Sequence, residues 1–224
     1  MKKIFAIILT LMMTMIFTAC GNDNGEKKSD SNEKVEAKVA NGNDVTNFNG
    51  KKILTVYFSR ADENTRVGVV EKGNTKILAE MLQQMTGSDI FEIKPIKEYP
   101  KEYKETTDLA KMEKETNFRP EIIEPLPNVQ DYDIIFIGYP IWWSDLPMAV
   151  YTFIEKENFN GKIIAPFCTH EGSGIGSTPD YIEQKTNAKI LSGLEMRGNT
   201  AQNSRDEAKV AVENWLKKLE KEIQ

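Results

Sequence analysis

Apolar and polar positions change their rhythm near residue 51. Behind Met1, Lys2 and Lys3 runs the unbroken apolar stretch "IFAIILTLMMTMIF", and then residues 21–50 contain no Ile, Leu, Met, Trp or Tyr. Such a segment cannot bury enough apolar area to offset the entropy of ordering it. From Lys51 onward the pattern alternates between two periods. "KILTVYFS" (52–59), "DIFEIKP" (89–95), "YDIIFIGYP" (132–140), "GKIIAPFCTH" (161–170) and "AKILSGLEMRG" (188–198) are β-branched and aromatic runs that predict strands. Pro95 makes the second an edge strand, and the third, apolar throughout, predicts burial on both faces.

Between them the period becomes helical. Ile77, Leu78, Met81, Leu82 and Met85 predict one helix, with Gly87 as its stop. "YPKEYKETTDLAKMEKET" (99–116) predicts a surface helix or a decorated loop, and Pro147 opens a helix in "PMAVYTFIEKE". "TPDYIEQKTN" is a short helix and residues 204–224 a final amphipathic one, with Ser204 and Glu207 at capping-box spacing. Strands alternating with helices predict a doubly wound three-layer α/β/α sandwich on a parallel sheet. No internal repeat is present.

The N-terminus predicts an export signal: a basic start, an apolar run too short for the roughly 18–20 residues that span a bilayer, and small residues before a cut. "FTAC" resembles the lipobox of bacterial lipoproteins, which implies cleavage before Cys20 and lipidation of that thiol; an ordinary signal peptide in which Cys20 plays no part is the alternative. Phe17 departs from the usual leucine of the box. The expected organisation is a signal and lipobox in 1–20, a flexible tether in 21–50 reaching roughly 30 Å, and one globular domain in 51–224. The expected location is the outer side of the bacterial cytoplasmic membrane.

Composition narrows the partners. The formal charge is −5, and −7 once Lys2 and Lys3 are removed, which disfavours nucleic acid or an anionic surface as charge-driven partners. One histidine, His170, leaves no His/Cys cluster, so no metal is expected. With Cys20 lipidated, Cys168 has no disulfide partner and reads as core.

Three loops beyond strand ends carry the candidate chemistry. In "SRADENTRVGVVEKGNT" (59–75), Ser59 ends a strand, Arg60 adds positive charge, and Gly73, Asn74 and Thr75 begin a helix. Hydroxyl and amide groups at a helix N-terminus suit a phosphate monoester, although Asn and Thr open many helices by capping alone. "GYPIWWSDLP" (138–147) sets Pro140, Ile141, Trp142 and Trp143 at the mouth of the apolar strand. The tryptophans offer a flat wall for a planar ring, or cover the next helix as core. Neighbours in an extended segment point to opposite sides, so one of the two is expected inward. "CTHEGSGIGSTPD" (168–180) offers Thr169, Gly172, Ser173 and Gly174, whose backbone N–H groups can approach a ligand; a flexible loop is the plainer reading. His170 and Glu171 read as a solvated pair rather than as an acid and base. Together the loops supply a phosphate cradle, an aromatic wall and a ring-edge clamp, a combination that fits FMN.

Residues 51–224 resemble the flavodoxins, in a branch found among exported proteins and lipoproteins. The resemblance rests on "VYFSR…GNT", "IGYPIWW" with its following proline, and "CTHEGSG". It implies a five-stranded parallel sheet in the order 2-1-3-4-5 and noncovalent FMN. It also implies that Ser59, Arg60, Asn74 and Thr75 hold the phosphate. Pro140, Ile141, Trp142 and Trp143 would line the isoalloxazine, and Thr169, Gly172, Ser173 and Gly174 would close its other edge. The phosphate loop departs from the compact T-x-T-G-x-T turn of short-chain flavodoxins by the insertion of residues 61–72. A phospho-acceptor receiver would need an Asp where Tyr139 and Pro140 stand; a dinucleotide fold would need glycines after the first strand and an acid after the second, where Lys94 and Pro95 stand.

The expected function is electron transfer by bound FMN to an unidentified redox partner protein or small acceptor. Backbone groups near Trp142 or Gly172 would hydrogen-bond the reduced ring, and the net negative charge would push its potential down. The alternatives are an FMN-dependent NAD(P)H:quinone-type reductase and a flavin-free scaffold lipoprotein.

Overall fold

Leu54, Val56 and Phe58 lie in one apolar cluster and Ile53 and Tyr57 in another, which places the first strand between two layers of helix. The computed structural model describes residue 46 and residues 48–224. The expected export signal, Cys20 and most of the tether lie outside the described residues. Among those described, no helix is long and apolar enough to cross a membrane.

The sheet contains β1 (Ile53–Tyr57), β4 (Asp89–Glu92), β5 (Ile134–Pro140), β6 (Ile163–His170), β7 (Lys189–Ile190) and β8 (Leu194–Arg197). The order is β4-β1-β5-β6-β7, with β8 also pairing β6, and every pairing is parallel. This is the 2-1-3-4-5 order, its fifth strand broken in two at Leu191–Gly193. Alternation survives inside the apolar run of β5. Ile135, Ile137 and Tyr139 face the layer built by α3 (Met148–Lys156) and α4 (Thr178–Thr186); Ile134 and Phe136 face α1 (Asn74–Thr86) and α6 (Arg205–Ile223). Gly138 of β5 is required by close approach, because a Cβ there would lie 2.1 Å from the Phe167 ring on β6.

Three details differ from the sequence reading. The folded body begins before Lys51: Phe48 is 2 % exposed and packs edge-on to Phe136 at 6.1 Å, so the expected tether ends earlier than residue 50. Residues 61–72 are not an irregular insertion but carry an antiparallel hairpin, β2 (Asp62–Asn64) with β3 (Gly68–Val70). A short helix, α5 (Gly198–Asn203), precedes α6, and Ser204 occupies the N-cap of α6 without a side-chain cap bond, so the expected capping box does not form. The polar segment after β4 takes the helical of its two expected forms, α2 (Tyr103–Glu115), and is tied to the hairpin. Glu63 Oε2 accepts from the Tyr103 N–H at 2.7 Å at the head of α2.

Candidate functional site

The sheet order reverses at β1, whose neighbours β4 and β5 lie on opposite sides. Open α/β sheets bind ligands beyond the carboxyl ends of the strands at such a point. The loops leaving β1, β5 and β6 meet there.

At the end of β1, Ser59 Oγ accepts the Lys76 N–H of α1 at 3.0 Å, supplying the cap that Gly73 has no side chain to give. Gly73 is buried against it: a Cβ would sit 2.3 Å from Ser59 Oγ and 2.4 Å from the Arg60 carbonyl oxygen. Neither the Asn74 nor the Thr75 N–H has an acceptor among the hydrogen bonds of the described residues. Two amide donors and the positive end of a 13-residue helix therefore face outward, a ready anion site. The side chains of that turn look the other way. Asn74 Oδ1 accepts from Gln202 Nε2 of α5 at 2.8 Å, and Thr75 Oγ1 meets Thr169 Oγ1 at 2.8 Å with both residues buried. Thr75 and Thr169 thus bolt the first loop to the third. Thr75→Val leaves the Thr169 hydroxyl buried without its partner and should cost about 1–3 kcal/mol. Adding Thr169→Val should recover much of that loss in denaturant unfolding.

Arg60 does not turn toward the helix terminus. Its guanidinium donates to the carbonyls of Glu63 and Lys101 and, at 3.1 and 2.7 Å, to that of Pro100. Burial lowers its pKa from the ordinary guanidinium value, and it acts as a rivet between the hairpin and the start of α2.

The loop after β5 is a tight turn rather than an extended segment. Trp142 and Asp145 exchange backbone bonds, each at 3.0 Å, across Trp143 and Ser144, which take φ values of 52° and 60°. Positive φ at both central positions belongs to a type I′ turn and is costly for residues other than glycine, Asn or Asp. α2 offsets that cost. Thr107 O accepts from Trp143 Nε1 at 3.0 Å, Lys111 Nζ lies 5.5 Å over the indole, and Lys114 Nζ reaches Trp143 O at 2.7 Å and Asp145 Oδ2 at 3.2 Å. Trp142 turns inward, edge-on to Phe58 at 5.3 Å and Tyr99 at 4.9 Å; Trp143 stays 46 % exposed. The inward and outward pair is as expected, although the turn produces it. Behind Tyr99, Glu113 is buried and accepts its phenol at 2.7 Å. Burial raises the Glu113 carboxyl, and burial followed by the Glu113 contact pushes the phenol above its ordinary range.

Ile141, Trp142 and Trp143 line a cavity of about 220 Å³ closed by Tyr103, Thr107 and Ala110 of α2 and by Arg60 and Asn64. That is less than the roughly 300–1,000 Å³ of a whole-ligand pocket, and it has the aromatic walls a planar ring needs. The sequence reading missed the α2 and hairpin residues, whose polar composition resembles any solvated face. The Ile141 and Trp142 amides, expected to meet a ring edge, are taken by Thr169 O at 2.9 Å and by Asp145 O.

In the third loop, His170 Nδ1 accepts from the N–H groups of Gly172 at 2.9 Å and Gly174 at 3.2 Å. These two amides, expected to face a ligand, are thus spent on the imidazole. Glu171 Oε1 accepts the Asn199 N–H at 3.1 Å in α5, so the pair is not simply solvated. Ser173 is exposed and its N–H has no acceptor among the described residues. Cys168 is fully buried and burial pushes its thiol far above the ordinary range, consistent with core. Among the described residues no group of three His, Cys, Asp or Glu is placed to hold a metal ion.

Fold and site define a doubly wound α/β protein with a helix terminus whose first amides lack acceptors and an aromatic slot beyond the ends of β1 and β5. The chain belongs to the flavodoxin family, whose model matches residues 52–219. It is similar to flavodoxin 1 of Salmonella typhimurium, 28 % identical over 140 residues, and to flavodoxin 1 of Escherichia coli K12 at the same identity. Both matches cover 58 % of this chain and 60 % of the relative, so the chain spans less than two thirds of the length of the curated relatives it matches. Among solved structures it is similar to a protein assigned as a flavoprotein from Bacteroides eggerthii. That likeness has a TM-score of 0.60 and 28 % identity, and covers 75 % of this chain and 96 % of that one. A second, from Bacteroides uniformis, gives 0.58 and 25 %, covering 73 % and 98 %.

Proposed function

We propose that this chain binds FMN noncovalently and works as an electron-transfer flavoprotein. One observation carries the reading: two acceptor-free amides at the head of α1 stand beside an aromatic slot, at the ends of adjacent parallel strands. The residues present fit the nucleotide. A phosphate monoester needs donors and positive potential, which the Asn74 and Thr75 N–H groups and the α1 terminus supply. A planar ring needs apolar faces, which Trp142 and Trp143 supply; no residue of α1 lines the cavity, so in this reading the ring enters it and the phosphate is left to the helix.

FMN, when bound, supplies the one- and two-electron chemistry. The chain contributes position and environment. Trp142, fixed by Phe58 and Tyr99, gives the slot a rigid inner wall and keeps water from it. Trp143, 46 % exposed, stands at the rim where a partner would arrive. The acidic balance of the chain opposes extra negative charge on the cofactor and so lowers its potential.

The electron acceptor in this reading is a partner protein or a small molecule, and the chain is lipid-anchored through Cys20 outside the cytoplasmic membrane. "MKK", the apolar run and "FTAC" support the anchor. Partition of the full chain into a detergent phase, lost in Cys20→Ala, tests it; equal partition of both forms overturns it. For the function, purified protein should be yellow and, once reduced chemically, should pass electrons to an added acceptor. Steady NAD(P)H oxidation without an added reductase would instead assign a reductase, and a colourless protein that ignores added FMN a scaffold.

A further inference from the structure

We propose that His170 is the positioning residue of the third loop. Its Nδ1 gathers the Gly172 and Gly174 amides inward and leaves the Ser173 N–H as the loop's donor toward the flavin ring. The inference rests on the FMN reading and adds a residue to it. Two backbone N–H groups, at 2.9 and 3.2 Å, converge on one ring atom. Both are donors, so that atom must be an unprotonated acceptor, and the imidazole carries its hydrogen on Nε2. Gly172 and Gly174 take φ values of 137° and 69°, a backbone path that folds back over the side chain two and four residues behind it. Thr169, the preceding residue, is held through Thr75 and through Ile141, so the imidazole hangs from a fixed point.

A proton on Nδ1 would turn the acceptor into a donor facing two donors and release the loop. Glu171 follows His170 in the loop, and on the paired strand β8 Arg197 is in register with His170 and Glu195 with Cys168. Both carboxylates are engaged, Glu171 by Asn199 N and Glu195 by Ile175 N at 2.8 Å. The binding-competent loop therefore belongs to neutral His170.

Because the chain has one histidine, its ring nitrogens can be read in the full protein without assignment. At pH 7.5 the nitrogen spectrum should show the Nε2–H tautomer, flavin bound or not; an Nδ1–H tautomer overturns the proposal. FMN titrations at pH 7.5 of the wild-type chain, of His170→Asn, whose Oδ1 can stand where Nδ1 stands, and of His170→Ala test the consequence. His170→Asn should bind FMN about as tightly as the wild-type chain, because its Oδ1 still accepts from the two glycine amides. His170→Ala should bind more weakly than either. Equal affinity of His170→Ala and the wild-type chain would refute the role of His170. Failure of all three to bind FMN at pH 7.5, whatever the tautomer, would refute the flavin reading instead.

Discussion

Gly73→Ala should weaken FMN binding about 100-fold while leaving α1 folded. The added methyl meets two atoms at once, Ser59 Oγ at 2.3 Å and the Arg60 carbonyl oxygen at 2.4 Å. A hydroxyl can rotate away; a backbone carbonyl cannot move without the loop segment between β1 and β2 to which it belongs. That carbonyl also accepts from Asn64 Nδ2 at 3.3 Å, so its displacement disturbs the hairpin as well. Overpacking of this kind costs roughly 1–3 kcal/mol, and the upper end corresponds to about a hundredfold in affinity when strain falls on the bound geometry. Titration by flavin fluorescence measures it. Ser59→Ala removes the first clash and not the second, so combining it with Gly73→Ala should recover only a small part. Full recovery would show that the backbone approach is unimportant.

Gly138→Ala should cost about 3 kcal/mol or more in denaturant unfolding. Gly138 pairs with Tyr57 on one side and Phe167 on the other, and its missing side chain is the space the Phe167 ring fills, with three ring atoms within 2.7 Å of a built Cβ. The strand is central and buried from Ile134 to Tyr139, so neither neighbour can retreat. Phe167→Leu alone should lose stability by shrinking the core; combined with Gly138→Ala it should cost less than the two single changes together. Strict additivity would mean that the ring and the glycine are not coupled.

The layered sheet was readable because its signals are local and redundant. Ile77, Leu78 and Leu82 declare a helix by spacing, Gly87 ends it in a left-handed turn at φ 66°, and β5 is apolar beyond what one buried face requires. The turn at Trp142 and Trp143 stood out in the sequence because adjacent large aromatics there fall between a glycine and prolines, where a strand stops, and one of them packs inward as core. The destinations of polar groups were not legible. Nothing in "SRADENTR" says that Arg60 will bind carbonyls 40 residues away, or in "THEGSG" that histidine rather than a ligand takes the glycine amides. Those choices depend on which loops the topology brings together. A polar side chain finds a partner by distance in space and leaves no period in the sequence. Phe48 was the exception: an aromatic residue in a segment otherwise poor in large apolar groups was a signal that the body starts there.

The most direct test of the account is a titration of FMN into the purified full chain freed of flavin, followed by calorimetry and by tryptophan fluorescence. The account predicts one FMN per chain with a Kd of about 1 μM or tighter, quenching that Trp142→Phe reduces, and far weaker binding of riboflavin, which lacks the phosphate held at α1. Absence of heat and of quenching at millimolar FMN, or equal affinity for FMN and riboflavin, would contradict it.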